Sequence, residues 1–356
     1  MRIALSSSYA PDNRYAPKVF GIFSIGCFAV SKAEAVLRNA CEALIQSTRA
    51  EEEKLQQPTL GSSRVRRWLG HLWREWTVES WRPIVPAFAK PEPAKWNDTQ
   101  VTVAWIGHAT VLINFFGIRI LTDPVLFPRI GIRLPGFTVG PKRLTAPALE
   151  FNELPKVDIV LLSHAHFDHF DLRTLRRFDK NTRVITAPRT RDLLRWTRLH
   201  DITELRWNEQ KSIETLAGEI KIVAFLVNHW GARRQRDTYR GYNGYLLERN
   251  NRRILFAGDT ALTNSFADLR KHGGIDLAIM SIGAYNPWIR SHSTPEQAID
   301  MANAAGVHFI MPVHHQTFRL SFEPFREPIE RFEAALRIQP ERIALREIGE
   351  TFVLPL

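Results

Sequence analysis

The stretch Ser163-His164-Ala165-His166-Phe167-Asp168-His169 carries three imidazoles and a carboxylate within seven residues. Imidazole nitrogen is a borderline donor and carboxylate oxygen a hard one, a mixture that suits zinc or a comparable divalent transition ion. Further ligand types recur downstream as His229, Asp259 and His314, each just past an apolar run. A lone histidine on an apolar segment is usually a core residue. Four positions placed alike, each at the end of a strand-like segment, instead fit convergence on one edge of a pair of sheets.

The elements that must deliver these groups are short. Residues 157–162, 222–227, 254–258 and 309–313 are apolar runs with little polar alternation, the pattern of strands buried on both faces. Ahead of them, residues 101–106, 111–115 and 118–121 read as short strands, with Gly117 at a turn. Helices are expected at 172–177, 190–199, 265–272, 295–304 and 328–338, with Pro295 and Pro328 in first-turn positions. Residues 131–140 read as a Pro/Gly-containing loop bordering the pocket, and the Arg-rich residues 233–241 as a second rim. Composition and periodicity by themselves imply an α/β or α+β fold and no more.

The ligand set and its order resemble the metallo-β-lactamase superfamily, and more narrowly its branch containing N-acylphosphatidylethanolamine-hydrolysing phospholipase D and bacterial relatives. The matching pieces include Trp105-Ile106-Gly107-His108-Ala109-Thr110, Leu121-Thr122-Asp123-Pro124, Gly140-Pro141-Lys142-Arg143, the histidine cluster, Asn228-His229-Trp230 and Gly258-Asp259-Thr260. Ile282-Gly283-Ala284-Tyr285, His292 before Thr294-Pro295-Glu296, His314 before Thr317-Phe318, and Gly349-Glu350 complete them. The resemblance implies a four-layer αββα sandwich over residues 101–356; residues 1–100, which carry none of its motifs, read from their own pattern as an N-terminal helical extension. The resemblance also implies two divalent metal ions, zinc with iron and manganese as alternatives. His164, His166 and His229 would hold one ion and Asp168, His169 and His314 the other, with Asp259 and a hydroxide bridging them. Asp168 would also orient the hydroxide. The related phospholipase has Trp-Gly after its last ligand where this chain has His315-Gln316, which leaves His314 and His315 as alternative ligands, with His314 favoured by alignment. His292 matches a histidine outside the metal shell and would donate a proton to the leaving oxygen or grip a phosphate, the alternative being a surface loop residue. Asp123 reads as a carboxylate orienting a ligating imidazole. His108 reads as structural or supporting, and His315 as a neighbouring pocket or supporting group.

At 356 residues the chain is long enough for one large catalytic domain and an appendage. Hydrophobic and charged contents of 44% and 24% are those of a globular protein. A formal charge of +11 favours anionic partners, such as phosphate-bearing head groups or an anionic membrane surface. Cys27 and Cys41 lie outside every metal motif and form no disulfide framework.

Before residue 100 the chain reads differently. The apolar run at 19–30, preceded by Arg14 and Lys18, resembles a secretory signal, yet Ser31-Lys32-Ala33-Glu34 is a capping-box pattern that opens a helix. The run falls short of the roughly 20 apolar residues of a membrane span. Val65, Trp68, Leu69, Leu72, Trp73 and Trp76 recur at helical spacing between Arg64, Arg66, Arg67, His71 and Arg74. Such a helix can lie in a membrane interface, so residues 64–81 are a candidate peripheral contact, packing on the catalytic domain being the alternative. The expected location is cytoplasmic, peripheral to the membrane, with export through an N-terminal signal as the alternative.

The expected function is that of a dinuclear metal-dependent hydrolase acting on a phosphodiester, of the N-acylphosphatidylethanolamine phospholipase D type. Two alternatives stand beside it: a lactonase or other ester or amide hydrolase on the same metal shell, and a membrane-associated metal-binding protein without catalysis. The partner is a small-molecule or phospholipid substrate. No RNA-binding appendage is recognisable, which argues against nucleic acid.

Overall fold

The computed structural model describes residues 81–234 and 236–355. The apolar run at 19–30 and all of the Trp/Arg segment but Trp81 lie outside them. Fifteen strands are present among the described residues, in chain order: β1 (Val101–Gly107), β2 (Thr110–Phe115), β3 (Ile118–Thr122), β4 (Ile132–Leu134), β5 (Phe137–Val139), β6 (Ile159–Leu162), β7 (Arg183–Thr186), β8 (Ile202–Glu204), β9 (Gln210–Thr215), β10 (Gly218–Phe225), β11 (Gly244–Arg249), β12 (Arg252–Phe256), β13 (Ile275–Ser281), β14 (Val307–Val313) and β15 (Thr351–Val353). Among the described residues the α-helices are α1 (Leu172–Leu175), α2 (Pro295–Ala305) and α3 (Glu327–Ala335).

Two sheets account for all but the β4–β5 ribbon, in the orders β15-β1-β2-β3-β6-β7-β8 and β14-β13-β12-β11-β10-β9. Each is antiparallel in one part and parallel in the other: β3, β6, β7 and β8 run parallel, as do β12, β13 and β14. Two antiparallel steps bring β1 into the direction of β3, and β10 into that of β12. The C-terminal ends of β1, β3 and β6 therefore open at one edge of the first sheet. Those of β10, β12 and β14 open at one edge of the second. Residues just beyond the carboxyl ends of such strands are where open α/β sheets place ligands.

Alternate side chains of each strand feed different layers, which is why the strands are apolar throughout. Val101, Val103 and Trp105 of β1 join Ile254 and Phe256 of β12 in the core between the sheets. Ala104 and Ile106 turn outward onto Leu175, Phe178, Leu194 and Leu199. Leu255 of β12 turns the other way, onto Phe266, Ala298, Ile299, Met301 and Phe332. Helical segments thus cover both outer faces, the αββα arrangement expected from the resemblance.

The start of α2 shows the local logic: Thr294 Oγ1 accepts from Gln297 N, Gln297 returns the bond to the Thr294 backbone, and Pro295 occupies the first turn. Two expected helices, at 190–199 and 265–272, are instead 3₁₀ segments, Arg191–Trp196 and Asn264–His272. Residues 131–140, expected as a loop, form the β4–β5 hairpin, with Gly136 at its turn in a positive-φ conformation. The stretch before β1 follows the sandwich: Val85 bridges to Thr145, and Ala89 N donates to Ile348 O at 3.2 Å. Among the described residues no helix is long and apolar enough to cross a membrane.

Candidate metal centre

The strand ends bring the sequence-derived residues together in one buried cluster. His108 follows β1, Asp123 follows β3, His164 to His169 follow β6, Asp259 follows β12 and His314 follows β14. His229 lies beyond β10 and His292 just before α2. The backbone is bent at these positions: His108, Asp123 and His314 have φ values of 55°, 32° and 65°. Non-glycine residues held in this region cluster where the surrounding structure dictates a side chain's aim. Gly258, at φ 61°, is required for Asp259, because a Cβ there would lie 2.8 Å from Ser163 Cβ.

Two groups face one another across Asp259. In the first, His164 Nε2 is 2.8 Å and His229 Nε2 3.3 Å from His166 Nδ1. In the second, His314 Nε2 and His169 Nε2 are 3.2 Å apart, and Asp168 Oδ2 is 3.5 Å from each. Asp259 Oδ2 lies 3.0 Å from His169 Nε2, 3.1 Å from His314 Nε2 and 4.0 Å from His229 Nε2. His292 is on the same side, its Nδ1 3.7 Å from Asp259 Oδ2.

Supporting contacts aim these rings. Asp123 Oδ2 accepts from His169 Nδ1 at 2.7 Å and from Ser163 Oγ at 2.5 Å, while Ser163 Oγ lies 2.9 Å from His164 Nδ1. His229 Nδ1 donates to Ser291 O at 2.8 Å. His108 Nε2 donates to Asp168 Oδ2 at 3.0 Å, and Thr317 Oγ1 receives His108 N at 2.7 Å. Ser163 and Ser291 were not foreseen. Ser163 abuts the histidine motif, which is a usable signal, but a backbone carbonyl such as that of Ser291 leaves none. His315 turns away from the cluster, its ring centroid 4.6 Å from that of Trp105.

The electrostatics differ between the two groups: against the effect of burial, Asp259 and Asp168 raise His169 well above the ordinary imidazole value and His314 to about 9, so a metal there would displace their protons. Burial pushes His164 and His229 well below the ordinary imidazole value and His166 to about 4, so these rings stay neutral, the state a metal requires. Burial opposes ionisation of Asp168 and Asp259, yet the surrounding imidazoles, His169 first, hold both carboxyls well below the usual range. Asp259 Oδ1 is buried without a hydrogen-bond partner among the described residues. Unpartnered lone pairs in the interior are costly unless something positive meets them. Ligand atoms in each of these groups lie within 4.8 Å of one another, and the donor set fits divalent metal ions.

Comparison with known proteins bears on the family and the fold. Residues 118–315 match the model of the beta-lactamase superfamily domain. A protein of Mycobacterium tuberculosis is 34% identical over 275 residues, covering 74% of this chain and 71% of the relative. An N-acyl-phosphatidylethanolamine-hydrolyzing phospholipase D of Caenorhabditis elegans is 29% identical over 254 residues, covering 67% of this chain and 70% of that protein. The crystal structure of an isothiocyanate hydrolase from Delia radicum gut bacteria superposes with a TM-score of 0.59 at 18% identity, over 72% of this chain and all of that one, a likeness of fold.

Proposed function

The chain belongs to the metallo-β-lactamase superfamily and is a metal-dependent hydrolase, and from that premise we propose that it cleaves a phosphodiester of the N-acylphosphatidylethanolamine type at a centre of two divalent ions. His164, His166 and His229 would hold one ion, Asp168, His169 and His314 the other, with Asp259 between them. The nitrogen-rich set favours zinc. When bound, such ions supply an activated water and positive charge for the phosphate oxygens. The observation that carries the reading is the position of Asp259 Oδ2, within 3.0–4.0 Å of imidazoles from both groups.

The chain's own residues divide the remaining work. Asp168, with its side chain 14% exposed, stands at the open side of the cluster, where its carboxylate can take a proton from the attacking water. His108 holds it there. His292 faces the same space, and burial lowers its pKa, so it acts as a neutral imidazole whose N–H donates to the leaving oxygen or to phosphate. Trp230 is half exposed, with its ring 4.4 Å from that of His166, and offers an apolar wall beside the centre. The net charge of +11 favours an anionic substrate.

The test is product analysis by mass spectrometry after zinc-loaded protein meets N-acylphosphatidylethanolamine vesicles, with Asp259→Asn alongside. Release of phosphatidic acid and N-acylethanolamine by the wild type alone supports the reading. No release from protein holding two ions rejects the lipid substrate, and the search then moves to lactones and small soluble phosphodiesters.

A further inference from the structure

We propose that Arg233 is a positioning residue for the metal centre, clamping the loop that carries His164 and His166 onto the segment that carries His229. The inference rests on the assignment of those three histidines to one ion. That trio is divided between two separate stretches of chain, one after β6 and one after β10. Its geometry therefore depends on whatever joins the two.

Arg233 lies four residues beyond His229 and grips the other stretch at three points. Its Nη1 donates to Ala165 O at 3.1 Å, the carbonyl between His164 and His166, and to Phe170 O at 2.8 Å, directly after His169. Its guanidinium carbon lies 4.0 Å from the ring centroid of Phe167, the residue between His166 and Asp168. One planar cation thus bonds the loop at both ends and stacks on its middle. Burial lowers its pKa only to about 10, so it remains charged at neutral pH.

The base from which Arg233 reaches is itself fixed. A Cβ at Gly231 would lie 2.2 Å from Gly241 O, so the two arms of this segment touch backbone to backbone. Gly241 N donates to Pro188 O at 2.8 Å, and Arg240 bonds to Asp192 at 2.6 Å and Asp237 at 2.7 Å. On the far side, the bond from His229 Nδ1 to Ser291 O fixes the ring of the third histidine. Lysine at 233 would keep the charge but lose the flat face that lies on Phe167, so it is not an equivalent residue.

The experiment uses full-length wild type, Arg233→Lys, Arg233→Met and Phe167→Leu, each stripped of metal. Each is titrated with zinc against a chromophoric chelator and separately loaded with cobalt(II) for its visible spectrum. The wild type takes up two ions. Both Arg233 variants bind one of the two at least about tenfold more weakly, as the loss of a supporting contact does elsewhere, and their cobalt spectra change. Phe167→Leu, which removes only the stacking surface, changes both readouts in the same direction by less, and decides the matter if the Arg233 variants do not fold. Wild-type zinc affinities and cobalt spectra in every folded variant, with only a lower melting temperature, would make Arg233 structural and overturn the inference. A wild type that binds fewer than two ions would instead overturn the site assignment, and this inference with it.

Discussion

The carboxylate of Asp123 accepts the Nδ1 proton of His169 at 2.7 Å, with both side chains fully buried. The same carboxylate receives Ser163 Oγ, which in turn meets His164 Nδ1 at 2.9 Å. One acidic residue at the end of β3 therefore fixes the tautomer of an imidazole in each half of the cluster, directly in one case and through a hydroxyl in the other. Fixing Nδ1 as the protonated nitrogen leaves Nε2 free to ligate.

Asp123→Ala should accordingly weaken both metal sites. An outer partner of this kind is worth about 10–100-fold in affinity, and here both ions should be affected. Competitive chelation read against the wild type checks this. An effect confined to one ion would show that the link through Ser163 carries nothing.

His108 makes a narrower prediction. Burial pushes its imidazole to about 3, so it is neutral and donates its Nε2 proton to Asp168. His108→Ala should lower kcat by about 10–100-fold with a smaller change in KM, because the carboxylate that accepts the proton loses its aim while the substrate wall is untouched. A change in KM alone would place His108 in binding.

The cluster was legible in the sequence because each candidate ligand sits within seven residues past the end of an apolar strand, and strand ends are local information. The αββα layers were legible as a class only through the family resemblance, since double-sided burial and a plain buried helix give similar apolar runs. What stayed hidden depends on distant partners. The Arg-rich residues 233–241 read as a rim, yet Arg240 is buried between Asp192 and Asp237 and Arg233 is turned onto Phe167. Whether an arginine faces solvent or braces a loop is set by acids and carbonyls far away in sequence. The hairpin at 132–139 was missed for a related reason: its strands are three residues each, too short for alternation to register.

Arg240 gives a prediction about stability. Its side chain is 6% exposed and pairs with Asp192, which is 54% exposed, and with Asp237 at 13%. Arg240→Met should cost about 2 kcal/mol, between the values for exposed and buried pairs, and lower the melting temperature by about 4–8 °C. Arg240 depresses the folded-state pKa of both carboxyls. Their contribution is therefore complete above the unfolded value of about 3.9 and lost as the pH falls through the folded ones. The gap in melting temperature between wild type and variant should begin to narrow only as the pH falls below about 4 and close once both carboxyls are protonated in the folded protein, and a gap that does not narrow with acidification would contradict the pairing.

His314 and His315 are adjacent and chemically alike, and the fold sends them in opposite directions. His314, at φ 65°, places Nε2 3.1 Å from Asp259 and 3.2 Å from His169 Nε2. His315 lies on Trp105, and burial drives its imidazole to about 3, leaving a neutral ring in an aromatic contact. His315→Phe exchanges one flat buried ring for another of similar volume, a change that usually costs under about 1.5 kcal/mol, so both ions and turnover should survive. His314→Ala removes a donor facing Asp259 and should cost one ion and at least about 100-fold in turnover, the upper end for loss of a mere supporting contact. Metal content by elemental analysis, read together with the rate, separates the two. The reverse pattern, loss in His315→Phe and retention in His314→Ala, would mean that the positive-φ turn at the end of β14 aims the wrong histidine inward when metal binds.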